Sequence, residues 1–441
     1  MQKSIDCTTN SEQKIDYIFF LFGVASTMPI LAVSIAGHSV SLFDALFILV
    51  MIRLLFARQS FSLTLPKGAG TYYVIWLFLS LFSCLFGFIY FINRPLWQSA
   101  AISYIPKIII YLVFYILLKR INKSEYYIRS IIKGIISGII INLIWAIIDA
   151  VIFYTFGFSI TNRIFAQYIL DNDIRYGMLS LTINGQIRAG GLNGDPANVG
   201  IFAPILAAYS LKSKKYILLI ISIISIFASV SLISLAGIII IYFILLLDMK
   251  SLSRKKKRNL LLLFFIVAII GVVFWNINNP IIAELRTAVM DRLLLKRDIV
   301  TQSVRTTYFM KFIPAVFLNP ISFLIGTGFG TASYAYIKPG FINENTPYDP
   351  ECTYFSYYFD CGLAGFIAFM LLSYNIFKSA RASSEASDYS MALYACVLGS
   401  LVAFWGYHYI LYAPVMLITI CAVIDGQLKS QDQLNYEYYN Y

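Results

Sequence analysis

Charge is scarce in this chain. Only 13% of its 441 residues are Asp, Glu, Lys or Arg, against 59% hydrophobic and 16% aromatic. With a mean hydropathy of +0.75, that excludes an ordinary soluble domain. Histidine is nearly missing, since His38 and His408 stand alone and far apart, and a metal centre built on imidazoles has little support. The cysteines fall at 7, 84, 352, 361, 396 and 421. No two show metal-ligand spacing, and a disulfide framework is not expected. The first sixteen residues carry Lys3, Asp6, Glu12, Lys14 and Asp16 and lack a short apolar core with a cleavage site. No signal peptide is therefore read, and the first helix is expected to be a retained span.

Long apolar runs are plentiful. Stretches such as "IIKGIISGIIINLIWAIIDAVIF" are apolar on every side and lack the alternation of a barrel strand, so they predict membrane helices. About twelve runs are long enough for a hydrocarbon core of roughly 30 Å. They lie near 17–36, 42–56, 71–92, 98–118, 133–156, 196–211, 215–230, 233–248, 259–277, 351–377, 388–406 and 409–425. The stretch 216–248 is too long for one comfortable span and short for two. "SVSLIS" is its expected break, and a re-entrant pair of short helices would fit it. The fold expected is an all-α polytopic membrane protein. It has an N-terminal bundle (1–156), a first outer loop (157–195), central helices (196–277), a large outer loop (278–350) and C-terminal helices with a tail (351–441).

Lysine and arginine set the expected sidedness. Alternate connections read "ARQSFSLTLPKG", "KRINKSEYYIRSIIKG", "KSKK", "MKSLSRKKKR" and "KSARASSEASD", and together with the termini they hold most of the basic residues. This bias places them, and both termini, in the cytoplasm. It also accounts for the net charge of +12 without a nucleic-acid partner. Residues 157–195 and 278–350 are then long outer loops that carry arginines against the trend. They read either as solvated loops of mixed charge or as an outward-facing site for an anion.

Three stretches hold the polar chemistry. "RAGGLNGDPANVG" runs from Arg188 to Gly200. Its Asp195-Pro196 pair is a helix start signal, and its glycines permit close backbone approach. Arg188 can present a planar charged fork beside a helix N-terminus that favours anions. The alternative is a capped helix start with an arginine reaching for headgroups. "SVRTTYFMKFIPAVFLNPISFLIGTGFG", Ser303 to Gly330, carries Arg305 and Lys311 ahead of a glycine turn. It lacks the strand and following helix of a dinucleotide site, and Arg305 can equally belong to a surface helix. "NTPYDPECTYFSYYFDCGLAGFIAF", Asn345 to Phe369, gathers Asp349, Glu351 and Asp360. The first two can simply cap a helix, whereas Asp360 lies deeper, where an acid is by default functional or paired. The same default applies to Asp149 and Lys107, while Asp44, near a helix start, reads as a cap.

In this order the three stretches resemble the superfamily of O-antigen polymerases and O-antigen ligases, membrane glycosyltransferases of bacterial surface polysaccharide assembly. The matching elements are an arginine before "GLNGDPAN", then "RTTY" with "NP…GTGFG", then "PYDPE…Y" opening into "DCGLAGF". The ligase branch usually places a histidine where this chain has Glu351, so the polymerase branch is favoured. The resemblance implies a GT-C-like membrane fold in the inner membrane with its active site facing the periplasm. It implies a donor and an acceptor glycan on undecaprenyl pyrophosphate, in the company of a flippase and a chain-length regulator. Neither cofactor nor metal is expected. On this view Arg188 and Arg305 stabilise the leaving pyrophosphate, and Glu351 orients or deprotonates the attacking hydroxyl. Asp195, Asn198, Asp360 and Lys311 shape the substrate site. A ligase acting on lipid A core or protein, and a transporter or flippase, are the competing readings.

Overall fold

The computed structural model describes residues 15–35, 38–57, 68–91, 93, 95–121, 123–169, 180–183, 186–193, 196–229, 231–248, 258, 262, 320–331, 352–405 and 412–439. Most are helical. The chain runs through α1 (Tyr17–Ser26), β1 (Ala32–Ile35), β2 (His38–Ser41), α2 (Leu42–Phe56), α3 (Ala69–Phe91), α4 (Pro95–Arg120), α5 (Ser124–Phe156) and α6 (Ile160–Ile169). It continues with β3 (Ser180–Ile183), β4 (Gln186–Ala189), a 3₁₀ turn (Gly191–Asn193), α7 (Pro196–Ser213), α8 (Tyr216–Ser229) and α9 (Leu232–Asp248). After α10 (Pro320–Ile325) come α11 (Thr353–Ser383), α12 (Asp388–Ala403) and α13 (Ala413–Tyr439).

Four of these helices, α3, α4, α5 and α11, are long and apolar enough to cross a membrane. At 1.5 Å per residue they extend about 35–50 Å, past a hydrocarbon core of roughly 30 Å. Large apolar side chains also point outward along them, among them Phe78, Leu85, Ile89 and Ile102. Soluble monomers rarely expose such continuous apolar surface. These are the features of a multi-pass membrane protein.

The structure corrects the all-helical expectation at three places. The run at 17–36 is not one span, because α1 stops after 10 residues. Ser26 and Thr27 turn their hydroxyls back onto Gly23 and Val24 carbonyls, a bond that competes with the ladder, and Pro29 follows. The chain then forms an antiparallel hairpin with Ala32 opposite Ser41. A second hairpin, Ser180 opposite Ala189, and the helix α6 stand where a plain outer loop is expected. The stretch 216–248 divides as the sequence suggests, into helices of 14 and 17 residues with Ser231 between them. The run expected at 259–277 falls almost wholly outside the described residues.

Close packing brings α1 against α5 in parallel. A Cβ on Gly134 would sit 2.1 Å from the Phe20 carbonyl, and one on Gly138 would sit 2.3 Å from Thr27 Oγ1. Spaced four apart, these glycines let two backbones touch, as small residues do between membrane helices. The helix directions place the basic connections at one end of the bundle. There Asp16, which caps α1, takes Arg53 from the end of α2 at 2.6 Å. Asp248 at the end of α9 pairs with Arg381 and with the hydroxyl of Tyr394. Asp425 receives Tyr389 at 2.8 Å and Lys429 at 2.5 Å. Arg129, in the first turns of α5, lies 5.6 Å over the Tyr389 ring and joins these groups.

Candidate functional site

Two of the three polar stretches meet inside the bundle. Helix α10 ends at Gly326, and the turn Gly326–Thr331 inserts, fully buried, between α3, α4 and α11. It enters at a break in α11, where Gly362 has φ 66° and ψ −172°, a region open essentially to glycine alone. The break releases the Asp360 carbonyl from the helical ladder. That oxygen accepts the amides of Thr327 and Gly328, each at 2.9 Å, and the hydroxyl of Ser83 at 2.7 Å. Both glycines are sterically required. A Cβ on Gly326 would lie 2.1 Å from the Asp360 carbonyl oxygen, and one on Gly362 would lie 2.5 Å from the Ile325 nitrogen.

Side chains complete the mount. The Asp360 carboxylate, 1% exposed, accepts the Thr331 amide at 3.1 Å. Ser83 Oγ accepts from the Gly328 amide at 2.9 Å, and Cys84 Sγ accepts from that of Phe329 at 3.2 Å. Trp97 Nε1 donates to the Thr327 carbonyl at 2.9 Å. Ser80 and Tyr357 share a hydrogen bond of 2.7 Å on the next turn of α3, and the Phe329 ring packs among Trp76, Tyr104 and Tyr357. Ser80 and Ser83 sit near the middle of α3, roughly 17–21 Å from its first residue. Irregular backbone at such depth is tolerated where protein groups satisfy its N–H and C=O, and here the amides of Thr327, Gly328, Phe329 and Thr331 and the carbonyls of Thr327 and Asp360 have such partners.

Chemically this is a rigid support with no reactive group exposed. It joins two of the candidate stretches, the turn from one and the break in α11 from the other. Residues 278–319 lead into α10, and residues 332–351 connect the turn to α11. Arg305, Lys311 and Glu351 lie in those flanking segments, outside the described residues, and Asp195, just before α7, is also outside them. Cys352 is the N-cap of α11.

The third stretch is separately anchored. Arg188 lies on β4 opposite Leu181, half-buried, and its Nε donates to the Ser229 carbonyl at 3.5 Å. The guanidinium thus meets the C-terminal end of α8, where orphan carbonyls favour a cation, whereas the sequence pattern points to the N–H groups of a helix start. The glycine requirement is real at Gly191, with φ 63°, but its close neighbour is the protein itself. A Cβ there would lie 2.2 Å from Asn142 Oδ1, and Asn142 in turn donates to the Thr27 carbonyl at 2.9 Å. Asn198 is buried in the first turn of α7.

The remaining membrane-depth charges resolve individually. Asp149 accepts Ser159 Oγ at 2.9 Å and the Thr161 amide at 3.2 Å, so it caps the start of α6. Lys107 is exposed, 5.3 Å over the Tyr104 ring. Asp44 forms a capping box with Ser41, as its position suggests. Ser80, Ser83, Trp97, Asn142 and Tyr357 escape a reading that looks for charge. Their signal is a polar side chain within an apolar run, as in "SLFSC" and "GIIINLIW". No family model matches the chain, and no curated protein matches it significantly.

Proposed function

We propose that the chain is a polymerase of undecaprenyl-pyrophosphate-linked oligosaccharide repeat units, working at the outer face of a bacterial inner membrane. In this reading the apolar helices lie together in the bilayer, the long ones α3, α4, α5 and α11 crossing it and short ones such as α1 entering it part of the way. The end of the bundle holding the ion pairs is cytoplasmic, following the lysine and arginine bias. One observation supports the reading above the others. The "GTGFG" and "DCG" elements that carry the resemblance belong to different stretches of the sequence, yet they form a single unit, with the turn seated in the break at Gly362. That unit joins Thr331 to Asp360, the described residues on either side of the segment that carries Glu351.

The reaction follows from those groups. A hydroxyl of the incoming repeat unit attacks the anomeric carbon of the growing chain. Its proton passes to the Glu351 carboxylate, and the bond from that carbon to the pyrophosphate oxygen breaks. Arg188 and Arg305 offset the charge developing on the leaving pyrophosphate by bidentate hydrogen bonds. Asp195, Asn198 and Lys311 line the substrate path, and Asp360 shapes it from below by holding the turn.

The same break in α11 favours one rival, since transporters build substrate sites on interrupted helices. A null strain separates the readings. Surface glycan of a single repeat indicates the polymerase, and complete polymer stranded on its carrier indicates a ligase. Repeat units trapped on the inner leaflet indicate a transporter, and either of the last two outcomes rejects the proposal. With purified lipid-linked repeat units, Glu351→Gln should lower elongation about a hundredfold or more, with donor binding retained. Arg188→Lys keeps charge but loses the fork, so chain length should fall at normal protein abundance.

A further inference from the structure

The joint between α5 and α6 has a surface that the proposed reaction does not use. Along α5, Ile141, Ile144, Ile148 and Val151 are exposed at helical spacing, which makes one outward apolar stripe. The stripe does not stop at the helix end. It continues through Tyr154, Phe156 (69% exposed) and Phe158 to Ile164 on α6. Helix α6 cannot rise freely from this end, since Asp149 caps it and Trp145 Nε1 holds Thr161 Oγ1 at 2.9 Å. Its inner face packs Phe165 with Trp145 against the Met28, Ile30 and Leu192 cluster. That leaves Ile164 and Arg163 facing away from the protein. The Arg163 guanidinium lies 5.0 Å over the Phe158 ring, and among the described residues no carboxylate pairs with it.

We infer that this elbow is an interfacial anchor whose partner is the phospholipid bilayer itself. Ile164 and the aromatic cluster enter the acyl boundary, and Arg163 contacts lipid phosphates. Continuity with the outward stripe of α5 identifies the partner, because a surface joined without interruption to a membrane-facing one lies at the edge of the same membrane. The chemistry agrees. Aromatic rings concentrate at the headgroup level, and a short amphipathic helix with an arginine above its apolar face sits in the interfacial plane. Arginine gives phosphate two parallel hydrogen bonds while its stem stays on apolar surface.

The test uses the full chain in nanodiscs of phosphatidylethanolamine and phosphatidylglycerol, with Cys7→Ser and Cys352→Ser as background. The remaining cysteines are buried. A spin label on Ile164→Cys is compared with one on Val151→Cys, within the α5 stripe, and one on Glu385→Cys, an exposed site in the connection between α11 and α12. Oxygen should relax the label at 164 more than a water-soluble nickel chelate does, at a depth between the two references. Equal chelate access at 164 and 385 would overturn the anchor. Adding Arg163→Glu should raise chelate access at 164 severalfold and leave 151 unchanged, more so as the phosphatidylglycerol fraction rises. No change at 164 would remove the phosphate contact. Because these readouts need no glycan, they hold or fail independently of the polymerase reading.

Discussion

The two halves of the bundle solve the problem of polar groups in an apolar protein by different means. At the end that gathers the basic connections, buried acids meet cations or hydroxyls. Asp16 has Arg53, Asp248 has Arg381 and Tyr394, and Asp425 has Lys429 and Tyr389. Around the glycine turn the bonds run mostly between backbone and neutral side chains, from Ser83, Trp97 and the amides of residues 327–331. The charged end resists error through Coulomb energy, which is strong when intact and costly when half removed. The turn resists it through shape, because two glycines must touch backbone and no other residue fits. The difference sets the order of what should break each half.

Gly362→Ala should have the largest effect. It puts a methyl 2.5 Å from backbone atoms of Leu324 and Ile325 and forces φ 66° with ψ −172° on a residue with a Cβ. Such strain alone costs about 1–3 kcal/mol, and the overlap adds to it. Unfolding in mixed detergent and dodecyl sulfate should show a loss of about 3 kcal/mol or more. Near-normal stability would mean that the turn is not seated in the break.

Next comes Asp425→Asn, which leaves Lys429 and Tyr389 without their charged partner. Breaking a fully buried pair costs about 3–5 kcal/mol. Lys429 is about a third exposed, so screening reduces the expected loss to about 2 kcal/mol. Adding Lys429→Met should recover much of it, because the orphaned cation is then gone. A double-mutant cycle with no coupling would show that this end is held by packing instead of charge.

The fold was more legible than the site, for a reason visible in particular residues. Long spans announce themselves by composition, so α3, α4, α5 and α11 lie close to where the apolar runs place them. The end of α1 was hidden because Ser26 and Thr27 look harmless in a run of apolar residues, yet their hydroxyls close the helix before Pro29. The mount around residues 326–331 was half visible. Asp360 and the glycines stand out in sequence, but their partners Ser83 and Trp97 lie more than two hundred residues upstream, and only folding joins them. Arg188 shows the opposite case. The motif rightly starts α7 at Pro196, but Arg188 Nε donates to the carbonyl of Ser229, the last residue of another helix.

Ser83→Ala tests the neutral half more gently. It removes one donor to the Asp360 carbonyl and one acceptor for the Gly328 amide. The carbonyl keeps the Thr327 and Gly328 amides as donors, and the Gly328 amide keeps that carbonyl, so two bonds are lost but neither group is orphaned. A net loss of about 1–2 kcal/mol is expected, smaller than for Asp425→Asn. A larger loss would show that the serine, more than the glycine geometry, holds the turn.

Asp44→Asn should matter least, and it marks the lower bound of the comparison. Asp44 is an acid at a helix start, like Asp16 at the charged end, but it is exposed and has no cationic partner among the described residues. Its carboxylate accepts the Ser41 amide at 2.9 Å, and its own amide donates to Ser41 Oγ at 3.1 Å. Asparagine keeps an acceptor oxygen and loses only the charge that favours the helix start, so about 0.5 kcal/mol or less is at stake. The same unfolding measurement should therefore place it within error of the unaltered chain. A loss comparable to that of Asp425→Asn would show that exposure in the isolated chain misstates its surroundings. The acid would then meet a cation in the membrane or in a partner, and the division between a charged half and a neutral half would fail at this residue first.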